Sequence, residues 1–199
     1  MASVYAIAAV TQTILGVLSD AVPSEFTGAQ FEPLQISDFQ KPKPVDEGIS
    51  LLLYRVDVSP LQRNLQPRPQ ANGKQYNPPL PVDLHYLMTA WGKTAPSQQR
   101  LLGWAMRTLE DVGRLNPALL NHYGGPEIVF SPNETVDVVY EPIAMSDFSS
   151  LWDLLKPNAQ VSVGYIARMV YIESEIEIPT GEPVQTRLYG MAREENGAS

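Results

Sequence analysis

Asp83 and His85 come nearest to chemistry by residue type and spacing. A carboxylate beside an imidazole is the pairing that orients a general base. Both lie in NPPLPVDLHYLMTAWG, residues 77–92. There Leu80, Val82, Leu84, Tyr86 and Met88 alternate with Asp83, His85, Thr89 and Trp91. In a strand this spacing puts Asp83 and His85 on one face, parallel and several ångströms apart. A catalytic relay needs the carboxylate on the ring and a nucleophile in reach. No serine sits in a G-x-S-x-G elbow, and the chain has no cysteine. The favoured reading is a histidine hydrogen-bonded within a half-buried sheet. A small hydrolytic enzyme using Asp83 and His85 with Glu175 is kept as an alternative.

The remaining candidates are weaker. His122 precedes Gly124 at the end of a short helical turn, where the helix dipole and free carbonyls favour it. Two histidines without H-x-x-x-H spacing make a weak case for a metal site. Glu173, Glu175 and Glu177 alternate with Ser174, Ile176 and Ile178, which puts three carboxylates on one strand face. Glycosidase chemistry needs two carboxylates across a cleft in unlike environments. A row in like environments reads as a solvated or ion-pairing surface. Neither G-x-x-x-x-G-K-[ST] nor G-x-G-x-x-G occurs. The sequence thus assigns no catalytic, cofactor-binding or metal-binding residue, and no cofactor.

The elements that carry these residues follow from periodicity. With 199 residues the chain suits one domain and buries roughly 70% of its unfolded surface. The net charge is −8, with the acids concentrated after residue 80, and no basic stripe points to nucleic acid. The opening MASVYAIAAVTQTILG lacks a positively charged leader region, and no stretch reaches the roughly 20 apolar residues a membrane helix needs. This reads as a soluble chain without a standard export signal.

Val4, Ile7, Ala8, Thr11, Ile14, Leu15, Leu18 and Val22 predict a helix over 3–21, capped by Ser3 and stopped by Pro23. A short strand is expected near 30–36. GISLLLYRVDV reads as a strand buried on both faces. Residues 59–79 form a long polar loop. After the strand at 82–91 comes the helix TAPSQQRLLGWAMRTLEDVG, with Leu101, Leu102, Ala105, Leu109 and Val112 inward. Asn116 caps the short turn PALLNHY. Strands EIVF and TVDVVYEPIA follow, and then the helix SDFSSLWDLLK, capped by Ser146 or Asp147. VSVGYIARMVYIESEIEI, residues 161–178, is the longest strand signal. It turns at Thr180-Gly181 into VQTRLYG, forming a hairpin arm over 161–190. The fold class is α/β (α+β): a single mixed sheet packed by helices, one domain over 1–192, and a flexible tail over 193–199.

Three stretches in order carry a resemblance. They are SVYAIAAVTQTILGVL, GISLLLYRVDVSPLQRN with its polar loop, and PPLPVDLHYLMTAWG followed by LLGWAMRTLED. From about residue 4 to 190 the chain resembles the cap, or tail-terminator, proteins of contractile injection systems, the phage-tail-like particles of bacteria. The resemblance implies a homohexameric ring at the distal end of tube and sheath. The ring would stop their polymerisation and bind the last sheath and inner-tube layer. It implies no enzymatic activity, no direct membrane insertion, and assembly in the cytoplasm as part of a particle. In that setting the prolines start a strand at a sheet edge, and His85 belongs to the strand signature. Partner contacts are expected on 165–190 first and on the 59–79 loop second. The residues named are Tyr171, Glu173, Glu175, Glu177, Arg187, Tyr189, Arg63 and Arg68. Other readings are another ring-forming component, such as a baseplate or tube-adaptor subunit, and a monomeric module binding peptide strands.

Overall fold

The computed structural model describes residues 4–60, 65–69, 74–125 and 128–179. Its centre is the stretch that opened the sequence reading. β5 (Leu80–Trp91) runs antiparallel to β2 (Gly48–Val58) on one edge and to β8 (Ser162–Ile172) on the other. β1 (Gln30–Leu34) lies parallel to β2. β7 (Val136–Tyr140) and β6 (Arg114–Leu115) extend the far side, giving the order β1-β2-β5-β8-β7-β6. The sheet is mixed and packed by helices, as the sequence predicts.

Two apolar layers flank it. On one face α1 (Ala6–Asp20), α2 (Ala95–Val112) and α3 (Pro117–Tyr123) cover Val82, Leu84, Tyr86 and Met88. On the other, a 3-10 turn at Ile36–Gln40 and α4 (Met145–Leu155) bring Phe39 and Leu155 onto Leu52, Leu87 and Trp91. The alternation in β5 therefore separates two buried layers, not an inside from an outside. Its polar residues are enclosed and paired: Thr89 with Ser162 at 2.8 Å, and the Trp91 indole N–H with Ser50 at 2.8 Å.

Local chemistry sets the boundaries. Thr94 Oγ1 accepts from Ser97 N–H to start α2, and Asn116 Oδ1 accepts from Leu119 N–H to start α3. Gly113 ends α2 at φ +57, a conformation glycine adopts freely. Gly48 is required for another reason. Its φ is +153, and a Cβ there would stand 1.9 Å from Gln30 O in the parallel neighbour.

Several expectations need correction. α1 begins at Ala6 behind Tyr5, which offers no side-chain cap, and Ser3 lies outside the described residues. Its buried face is Ala6, Ala9, Val10, Thr13, Ile14, Leu15, Val17 and Leu18, while Val4 and Ala8 are exposed. The face is set by α3 as well as by the sheet, since Gly124 packs at Ala9 and Gly16 packs at Tyr123. β5 is an interior strand, not an edge. Pro81 is tolerated near its start, where its carbonyl still accepts from Ser59 N–H at 3.0 Å. β2 is buried only through Leu52, because β1 ends opposite that residue. α4 starts at Met145 without a side-chain cap. Ile128–Phe130, within the expected strand EIVF, form no strand. Asn121 takes the place of a strand neighbour there. Its Oδ1 accepts from Val129 and Phe130 N–H, and its Nδ2 donates to Phe130 O, each at 2.9 Å.

That clamp satisfies backbone groups next to the buried Phe130. Asn121→Ala is expected to cost about 2 kcal/mol, read by urea unfolding. An unchanged midpoint would refute the clamp. Glu47 joins the start of β2 to α2. The Lys93 ammonium at 3.0 Å, and next the Ser97 hydroxyl at 2.9 Å, hold its carboxyl below the usual value. With the folded value below the unfolded one, the stabilisation is present above the ordinary carboxylate range. It is lost as pH falls through the depressed folded value. Glu47→Gln should therefore lower stability at neutral pH, and the gap from wild type should close below about pH 4. Paired unfolding curves across that range check it.

Candidate functional site

His85 sits in mid-β5 at 4% exposure, and its partners come from β2 and from the segment that follows β7. Nδ1 lies 2.7 Å from Glu141 Oε2, and Nε2 lies 3.1 Å from Asp57 Oδ2. Arg55 Nη2 is 3.1 Å from Nδ1, and Arg55 Nε is 3.0 Å from Asp57 Oδ2. Asp57 and Arg55 project from β2, and Glu141 directly follows β7, leading into α4. Tyr54 O–H reaches Glu141 at 3.4 Å. Burial, and then the Glu141 carboxylate, raise the Tyr54 phenol above its ordinary value, so it stays a donor. Arg55 fills the cationic position of this cluster. Among the described residues no group is arranged to hold a metal.

As the parallel placement on one strand face implies, Asp83 is not among the partners of His85. Asp83 lies opposite Asp57 across the strand pair. Val82 pairs with Val170 and Leu84 with Ala167, so Arg168 and Met169 together face Asp83. This is a β-bulge, and Met169 takes φ +66 to complete it. Arg168 stands opposite Asp137, which Arg114 Nε contacts at 2.6 Å. A charged row thus crosses the sheet beyond the edge of the second apolar layer. A cleft of about 380 Å³ opens there between Pro60, Pro81, Asp83, Asp137, Arg168 and Met169. No nucleophile–base pair converges on it. On the opposite face Val56, Val58 and Leu80 are exposed, so this end of β2 and β5 projects past both layers.

The two segments expected to meet partners come together at that end. β8 stops at Ile172, and the chain forms β9 (Glu177–Ile178) against β4 (Gln75–Tyr76), which also pairs with β3 (Arg68–Pro69). The 59–79 loop and the 165–190 region thus share a small second sheet, with Lys74 Nζ 2.6 Å from Glu177 Oε2. The glutamates do not line one strand face: Glu173 and Glu175 fall between β8 and β9, and only Glu177 is in a strand. Tyr171 is half-buried, opposite Pro81. Arg68 lies in β3. Arg63, Arg187, Tyr189 and the second arm of the expected hairpin lie outside the described residues. His122 is exposed, and its ring meets Tyr123 edge-on. Sequence reasoning missed Arg55, Asp57 and Glu141. Only the pairing register brings them to His85.

Residues 9–186 match the model of the Pvc16 N-terminal domain family. The chain belongs to this family. No curated protein sequence matches it. Among solved structures, the Pvc16-family chain is similar to the sheath/tube terminator of PVC, an extracellular contractile injection system, in its extended state. The TM-score is 0.64 at 14% identity, covering 97% of this chain and 65% of that one. It is also similar to the tube-terminating cap of the anti-feeding prophage, with TM-score 0.61, 14% identity, and 90% and 60% coverage. The chain thus spans less than two thirds of either. These likenesses bear out the tail-terminator-like mixed fold.

The His85 cluster is expected to act as a structural tie. His85→Ala should destabilise the Pvc16-family fold by about 2 kcal/mol, because Asp57 and Glu141 lose a buried partner. Denaturant unfolding measures this, and a change under 0.5 kcal/mol would contradict the role.

Proposed function

We propose that the chain is a structural cap of a contractile injection system. It forms a homohexameric ring at the distal end of tube and sheath, ends their polymerisation and binds their last layer. The observation that carries this reading is the likeness to a sheath/tube terminator over 97% of the chain. The second solved likeness, a tube-terminating cap, points the same way. The role is non-enzymatic: His85 is buried among structural partners, and the cleft beside Asp83 gathers no reacting groups. No helix of the described residues is long and apolar enough to cross a membrane.

The projecting end is the surface offered to sheath and tube. It combines exposed valines, a charged row and the small sheet that unites β4 with β9. A head-to-tail ring would leave this end repeated around the rim. Particle assembly with and without the chain tests the role by negative-stain electron microscopy. Its loss should give rods of uncontrolled length or no stable particles. Unchanged lengths and ends would reject a cap. Density at the baseplate end in labelled particles would favour an adaptor subunit. Removing residues 173–187 should abolish capping, and normal capped particles would move the contact elsewhere.

A further inference from the structure

Gly103 stands in the middle of α2 and is exposed. A Cβ there would meet no other atom within 4 Å. Nothing inside the chain requires a glycine at this position, and a glycine in a helix interior costs stability relative to alanine. It leaves a hollow on the side of α2 turned away from the sheet. Arg100 and Arg107, three residues before and four after, lie on the same stripe and are exposed. Their ion pairs within the chain, with Glu25 at 3.7 Å and with Asp111, are exposed as well. Surface pairs of this kind hold weakly and exchange readily. The hollow therefore has an open floor and a positive rim.

Across the sheet, α4 carries the complement. Phe148 and Leu155 turn toward the second apolar layer, while Met145 and Trp152 remain 78% and 40% exposed. The Trp152 ring leans on Phe148 with centroids 5.0 Å apart, which holds it as a projecting knob. Asp153 beside it is exposed, and so is its pair with Lys156. We propose that Trp152 of one copy seats on Gly103 of the next, with Arg100 and Arg107 against the indole face and the Asp153 carboxylate. A guanidinium over an indole face is a favourable pairing, and tryptophan and arginine are the residues that most often anchor an interface. Because α2 and α4 cover opposite faces of the sheet, the contact joins unlike surfaces and is head-to-tail, the kind that closes into a ring. It rests on the ring reading above and supplies that ring with its subunit contact. It uses no residue of the projecting end, which stays free for sheath and tube.

The test puts one cysteine on each surface of the full-length chain, Gly103→Cys with Ser149→Cys, in particles assembled with that variant. The chain has no native cysteine, and the two positions lie on opposite sides of the sheet within one copy. Mild oxidation should link neighbouring copies into a ladder that ends at the ring, and either single variant should give none. Gly103→Gln should raise the melting temperature of the free chain, since its side chain enters open space and favours the helix. The same variant should raise the chain concentration needed to cap half of the particles about tenfold. Trp152→Ala should impair capping equally, without the gain in melting temperature. Capped particles of normal length in which the double-cysteine variant forms no ladder overturn the contact and leave the cap reading standing. Unimpaired capping by Gly103→Gln does the same. Particles whose lengths and ends are indifferent to the chain remove the ring, and this contact with it.

Discussion

β5 is the constraint on which the rest depends. It is paired along both edges and buried on both faces over most of its length. Every buried polar group on it must find a partner inside the protein, since an unsatisfied one costs about 1–3 kcal/mol. Ser50, Ser162, Glu141 and Asp57 are placed by that demand. So is Thr11, whose hydroxyl lies 2.9 Å from Tyr86 Oη in the principal core. Burial raises the Tyr86 phenol far above its ordinary value, so it remains a neutral hydrogen-bonding group. The histidine that suggested catalysis is one more case of this demand.

The sheet treats its two ends differently. At the end holding Trp91 both faces are covered and the two apolar layers close. At the other end β2, β5 and β8 run on past the helices, with irregular register between Leu53 and Arg55 and between Val82 and Leu84. Bulges sharpen strand twist and redirect side chains. Here they fall where the apolar layers stop and the charged row begins. Met169 keeps an uncommon backbone conformation for a side chain of its size, and that strain is held by well-paired strands on either side.

Much of this was legible because it is local. Thr94, Asn116 and Gly113 mark helix ends by chemistry acting over three or four residues. The strands at 48–58, 80–91 and 162–172 announce themselves through β-branched and aromatic content. What failed was non-local. Nothing around Val129 reveals that Asn121 will satisfy its backbone. Nothing in GISLLLYRVDV shows that the neighbouring strand stops halfway along it. The His85 cluster draws on residues 55, 57 and 141, and no spacing rule connects them. The glutamate row read as one strand because alternation continues past Ile172, although the chain has already left the sheet there.

The small sheet carries a consequence for the order of events in time. β4 is made early in the chain, but β9 lies about a hundred residues later. Contacts of such separation form slowly, after the loop between them has been closed by other structure. β9 can reach β4 only once β8 has docked beside β5. The projecting end is therefore completed last, and a chain still being synthesised or still folding does not yet possess it. Maturity of the whole sheet is thereby registered at a single surface.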